Sequence, residues 1–253
     1  MDSGSHGIVA GSGPDPVDQA GFSALGVARD LVLERIARAC RRAGRDPAAV
    51  RLVAVSKTVP AERLRSAIAV GLTELGENRV QEAAAKAPLV DGACWHLIGP
   101  LQSNKVRAGV EIFGTIETVD RPDLAARLDR IAGEIRPGRR LPVLLQVNVD
   151  ADPAKAGFEP EALRDALPRL LELANLEVQG LMTVGRLETS AEAARPTFVA
   201  LRHLSDRLRA TSPALGGELS MGMSDDFEVA VEEGATTVRI GRALFGTRPA
   251  AGR

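Results

Sequence analysis

Tyrosine is absent from the 253-residue chain, so no phenolic acid or base is available to its chemistry. Cysteine, histidine and tryptophan are scarce, at two, three and one residues. Cys40 and Cys94 have no metal-ligand spacing and are expected as reduced thiols of a cytoplasmic protein. Three histidines without a Cys/His cluster exclude a structural zinc module, and no metal is expected. Excess charge of either sign is also missing: 32 Lys and Arg face 33 Asp and Glu, a net charge of −1. Nothing in that balance draws the chain toward nucleic acid or an anionic membrane surface. No apolar run is long enough to span a bilayer, and no secretory signal is evident.

What is present is a 45% hydrophobic complement, enough for one large domain with a sizeable core. Residues 1–20, "MDSGSHGIVAGSGPDPVDQA", are rich in Gly, Ser, Pro and Asp without periodicity, and are expected to be a disordered tail. Residues 249–253 form a second short tail, leaving 21–248 as the folded domain. Within it, short apolar runs recur at 52–57, 73–78, 94–99, 115–120, 142–148, 177–183, 218–224 and 236–241. Amphipathic stretches lie between them. Leu124, Leu128, Ile131 and Ile135 form one helical stripe, and Phe198, Leu201, Leu204 and Leu208 another. Pro60, Pro122 and Pro160 stand where first helical turns begin, where a missing N–H costs nothing. A further helix, about 23–43, precedes the first strand. Eight strand–helix units predict a single-domain α/β protein, a (β/α)8 TIM barrel with an extra N-terminal helix.

Barrels place their sites at the C-terminal strand ends. Those ends carry Lys57, Glu77 with Asn78, His96 with Gly99, Asp120, Asn148, Thr183, Ser224, and Arg239 with Gly241. Several serve equally well in structural roles: Asn78 and Asn148 as helix caps, Asp120 as an N-cap before "RPDL", His96 as a satisfied core histidine. The last two ends are more specific. Ser224 offers a hydroxyl before one helix, and Gly241 lets backbone N–H groups approach an anion before another. Phosphate binding at strands 7 and 8, with a lysine ending strand 1, points to a phosphorylated aldehyde cofactor, pyridoxal phosphate. Arg239, two residues before Gly241, is positioned as the ring-nitrogen partner. An arginine there keeps that nitrogen unprotonated, weakening the electron sink and favouring retention of the cofactor over transamination.

The motifs "VAVSKT", "GENRVQEA", "WHLIGPLQSNK", "GLMTVG" and "LSMGMSDDFEVAVEEGATTVRIGRALFG" closely resemble the pyridoxal phosphate homeostasis proteins, over residues 22–248. The resemblance implies a barrel similar to the N-terminal domain of alanine racemase, with a Schiff base at Lys57. It implies phosphate contacts at Ser224 and Gly241, Arg239 at the ring nitrogen, Asn78 beside the cofactor and Met223 near the phosphate loop. Val59 stands where the family usually has a second lysine and Arg79 where it has tyrosine, which removes any role assigned to those side chains. Lys155 in "NVDADPAKAGF" is family-like without a purpose legible in the sequence.

The implied function is storage, buffering or delivery of pyridoxal phosphate to apo-enzymes, by a cytoplasmic monomer that is not itself an enzyme. The alternative is an amino-acid racemase with weak or one-base activity. The two-base version needs a lysine and a tyrosine on opposite faces of the cofactor, and this chain has no tyrosine. The sequence is also expected to end where the racemase's second domain would begin.

Overall fold

The computed structural model describes residues 16–185 and 190–246. The segments 1–15 and 247–253, which take in most of the expected N-terminal tail and the whole C-terminal one, lie outside the described residues. Helix α1 (Pro16–Arg42) opens the fold, beginning seven residues before the expected helix. The barrel follows as β1 (Arg51–Val55), α2 (Ala61–Ala69), β2 (Glu74–Glu77), α3 (Val80–Lys86), β3 (Cys94–Leu97), α4 (Val106–Ile112), β4 (Thr115–Val119) and α5 (Pro122–Ile135). It continues with β5 (Leu141–Gln146), α6 (Pro160–Leu171), β6 (Leu176–Met182), α7 (Arg195–Thr211), β7 (Glu218–Met223), α8 (Phe227–Glu232), β8 (Thr237–Ile240) and α9 (Arg242–Phe245).

The strands close in sequence order, each parallel to its neighbours, with β8 returning to β1. Every strand coincides with one of the eight apolar runs, β1, β5 and β6 each beginning one residue earlier, so the expected barrel is the fold. Pro122 and Pro160 sit at first helical positions as expected, whereas Pro60 is the extended residue just before α2. The helices bury the anticipated stripes: Leu124, Leu128 and Ile131 on α5, and Phe198, Leu201, Leu204 and Leu208 on α7.

The extra helix is bound by both apolar and charged contacts. Val32, Ile36, Ala39 and Cys40 are buried on one stripe of α1. Arg35 pairs with Glu228 at 2.8 Å and lies 4.5 Å over the Phe227 ring. Arg42 pairs with Glu232 at 2.6 Å, and Arg45 donates to the Ala235 carbonyl at 2.9 Å. Helix α1 is thereby tied to α8 and the β7–β8 side of the barrel. No helix among the described residues is long and apolar enough to cross a membrane.

Candidate functional site

The first strand hands its chain to the barrel mouth through Ser56 and Lys57. Ser56 still pairs with β2, its N–H donating to the Gly76 carbonyl at 2.9 Å. Thr58 then turns the backbone to φ 65°, a left-handed conformation that a β-branched residue adopts only under constraint. Here the constraint is visible. The Thr58 N–H donates to Glu82 Oε1 at 2.5 Å, and Lys86 Nζ donates to the same oxygen at 2.6 Å. The Lys86 ammonium also donates to the Ser56 carbonyl at 2.8 Å and to Glu77 Oε1 at 2.7 Å. Ser56 Oγ donates to that Glu77 oxygen as well, at 2.7 Å. Both residues flanking Lys57 are therefore fixed from below by Lys86, Glu77 and Glu82, and Lys57 itself is half-buried at the mouth. Burial pushes the Glu77 carboxyl up, against the opposing hydrogen bonds from Lys86 and Ser56. Glu77 Oε2 is buried without a hydrogen-bond partner.

One strand around the ring, β8 leads directly into Gly241. Its N–H donates to Ser224 Oγ at 3.3 Å, which joins the ends of β7 and β8. A Cβ on Gly241 would stand 3.3 Å from Val55 Cβ, so this backbone runs close against the end of β1. Ser224 is not a helix cap: α8 starts after Asp226 and has no side-chain capping bond. Met223 is half-buried at the end of β7, its N–H donating to Asp226 Oδ1 at 2.6 Å. Arg239 lies beneath, 4% exposed, donating to Ser220 Oγ at 2.6 Å and to the Thr183 carbonyl at 2.7 Å.

The fold brings Lys57, Ser224, Arg239 and Gly241 to one sector, on β1, β7 and β8. Asn78 follows β2, the neighbour of β1 on its other side, and is half-buried. Its backbone is pinned from β3, because a Cβ on Gly99 would lie 2.3 Å from the Asn78 carbonyl oxygen. Asn78 does not cap a helix; Arg79 occupies the cap position of α3 without a side-chain bond. Asp120 is not an N-cap either: it pairs with the Arg121 guanidinium at 2.6 Å. Asn148 holds its own loop, donating to the Asp152 carbonyl at 2.8 Å and accepting from the Asp152 N–H at 3.1 Å. Lys155 closes that loop onto the end of β6 through the Val184 carbonyl at 3.1 Å, which supplies its purpose. Val59 is buried at the start of α2, and Arg79 is exposed.

His96 is a satisfied core histidine. Its Nδ1 lies 2.8 Å from Glu117 Oε1 and its Nε2 2.7 Å from Glu74 Oε2. Burial alone would lower its pKa, but hydrogen bonds involving Cys94, Glu117 and Glu74 outweigh that and hold it well above the ordinary value. Glu117, 1% exposed, accepts from Ser220 Oγ at 2.6 Å through its other oxygen. Glu74, His96, Glu117, Ser220 and Arg239 thus form one hydrogen-bonded chain across the barrel, where layers of branched apolar side chains are usual. Sequence reasoning missed Glu117, Ser220, Lys86 and Glu82. The available signal was a carboxylate at the centre of "TIETV", on the inward period of an otherwise apolar strand.

Fold and strand-end cluster together define a single barrel of the alanine racemase type. The family model "Alanine racemase, N-terminal domain" matches residues 29–249. More narrowly, the chain belongs to the pyridoxal phosphate homeostasis protein family. It is 47% identical over 222 residues to that protein of Pseudomonas aeruginosa, covering 86% of this chain and 93% of the relative. To that of Aquifex aeolicus it is 44% identical over 219 residues, covering 86% and 95%. Among solved structures, PipY of Synechococcus elongatus PCC7942 with PLP bound is 44% identical, with a TM-score of 0.75 over 85% of this chain and all of that one. Alanine racemase of Clostridium difficile shares the fold at 16% identity and a TM-score of 0.69.

Proposed function

We propose that this chain holds pyridoxal 5′-phosphate and acts in its homeostasis, storing, buffering or delivering the cofactor to apo-enzymes. The observation that carries this is the joining of Ser224 Oγ to the Gly241 N–H at 3.3 Å, at the ends of β7 and β8, the second of which pairs with the strand that leads to Lys57. A hydroxyl and backbone N–H groups at adjacent strand ends are the donor set a phosphate monoester needs. Arg239, buried two residues before Gly241, presents a guanidinium on the same side of the barrel. The donor set fits the cofactor. The relatives' name, and the PLP bound in PipY, support the same assignment.

When bound, the cofactor supplies an aldehyde that a lysine amine can condense with. Lys57 is the residue proposed to hold it as a Schiff base. Ser224 and Gly241, with Met223 beside them, would hold the phosphate, Arg239 would serve the ring nitrogen, and Asn78, after β2, would contact the cofactor from the other side of β1. Arg239 has no proton to spare for that nitrogen, because a guanidinium stays charged and acts only as a donor. That suits a holder better than a catalyst. In this role the chain is a cytoplasmic monomer that meets its client enzymes in solution.

Borohydride reduction of the protein saturated with pyridoxal phosphate, followed by peptide mass mapping, tests the assignment. The expected adduct is on the peptide carrying Lys57, absent in Lys57→Ala. An adduct on another lysine, or none, overturns it. Amino-acid turnover by the loaded protein well above that of free cofactor would overturn the non-catalytic role alone.

A further inference from the structure

At the opposite end of the barrel, β2 and β3 begin side by side, with Glu74 registered against Cys94. His96 is two residues along the same strand and so shares a face with Cys94. The register brings a carboxylate oxygen, the Cys94 thiol and an imidazole nitrogen within 4.8 Å of one another. Neither the C-x-H step in β3 nor Glu74, twenty residues earlier, has metal-motif spacing, and the sequence alone predicted no metal here. From this convergence we propose that Glu74, Cys94 and His96 form a Zn2+ site at the N-terminal end of the barrel, separate from the cofactor site.

Four features agree. The donor set of thiolate, imidazole and carboxylate is the one Zn2+ takes, whereas Mg2+ and Ca2+ prefer oxygen alone. The second shell is already built: His96 Nδ1 is fixed by the buried Glu117 at 2.8 Å, directing Nε2 toward Glu74 and Cys94. A carboxylate behind a ligating histidine orients the ring and raises its basicity. Entry is open from the N-terminal end of the barrel, where Cys94 is exposed and the Glu74 side chain is 30% exposed. Charge is balanced as well, since one carboxylate and one thiolate neutralise the dication.

Three protein ligands leave a fourth position for water or an anion, the arrangement of an open rather than a closed zinc site. Binding replaces the proton now shared by His96 Nε2 and Glu74, whose atoms are 2.7 Å apart. Tetrahedral ligands at zinc distances stand roughly 3.3 Å apart, so this pair must open by about 0.6 Å. Glu74 can supply that movement, being 30% exposed at the very start of its strand.

The test uses the full chain, stripped with a chelator and titrated with Zn2+ against a chromophoric competitor. Co2+ is used in parallel as a spectroscopic probe. The expected result is one equivalent of tightly bound Zn2+, and a Co2+ complex with near-ultraviolet thiolate charge-transfer absorption. Cys94→Ser should abolish that absorption, and Glu74→Gln should weaken Zn2+ binding at least tenfold with far-ultraviolet circular dichroism unchanged. Glu117→Gln, which leaves all three ligands in place, should weaken it about 10- to 100-fold. Stoichiometric binding that survives Cys94→Ser unchanged overturns the proposal. So does Zn2+ affinity no stronger than that of the Cys94→Ser protein.

Discussion

Replacing Lys86 by methionine isolates the network beneath the mouth of the barrel. Methionine keeps the length and apolar stem of the side chain and removes only the ammonium. In the folded chain that ammonium is 9% exposed as a residue and spends its three donors on Ser56, Glu77 and Glu82. Glu77 is fully buried, already has one oxygen unpartnered, and would retain only the Ser56 hydroxyl on the other. Removing one member of a buried ion pair costs about 3–5 kcal/mol, because the remaining charge is stranded. Glu77 can escape part of that cost by binding a proton, as burial already pushes its carboxyl up. We therefore expect the low end, a loss of about 3 kcal/mol at pH 7.

The sign of the pH dependence follows. A neutral Glu77 does not need the ammonium, so the deficit of Lys86→Met should shrink as pH falls from 7 toward 5. Urea unfolding followed by circular dichroism at both pH values measures it. Lys86→Met/Glu77→Gln, which removes both charges, should be more stable than Lys86→Met at pH 7. The single variant should also take up pyridoxal phosphate on Lys57 more slowly, because Thr58 loses part of what holds its left-handed turn. A deficit below about 1 kcal/mol, or one that stays constant between the two pH values, would refute a stranded buried carboxylate as the cause.

Gly99→Ala should cost about 2 kcal/mol, within the range of overpacking, since its Cβ would fall 2.3 Å from the Asn78 carbonyl oxygen and 2.7 Å from Asn78 Cα. Both contacts are backbone and cannot rotate away, so cofactor affinity should drop alongside the urea midpoint; wild-type values of both would contradict the pinning of Asn78. Acid should loosen α1 from α8. The Arg35 hydrogen bond holds Glu228 below the usual carboxylate range, with burial opposing it. A depressed carboxylate stabilises above its unfolded value, about 4.3, and loses that contribution as pH falls through the folded one. The urea midpoint should decline below about pH 5, and less steeply in Glu228→Gln; identical slopes would show that this pair does not contribute.

Much of this was legible in the chain because the relevant signals are local. Apolar runs such as "LVAVS" and "PVLLQV" alternate with helical stripes over windows of ten to fifteen residues, and that alternation is enough to specify a parallel barrel. Strand-end logic then located Lys57, Ser224, Arg239 and Gly241 without coordinates. It was less successful with caps. Asp120, Asn148 and Ser224 have cap-compatible side chains, but each finds another partner in place of a helix end: the adjacent Arg121, the Asp152 loop and, across to the next strand, Gly241.

The sequence by itself determined where the strands lie along the chain, the inward period of each strand and the residues left at each end, because all three depend on neighbours a few positions away. Tertiary structure alone decided which polar side chains meet inside the ring. Glu117 and Ser220 are 103 positions apart, and Lys86 reaches back 30 positions to Ser56. Such pairs depend on barrel closure and on strand register, and a shift of one residue would turn each side chain to the other face. Thr58's left-handed backbone and the convergence of Glu74, Cys94 and His96 have the same origin, in contacts between separate elements that no local pattern encodes.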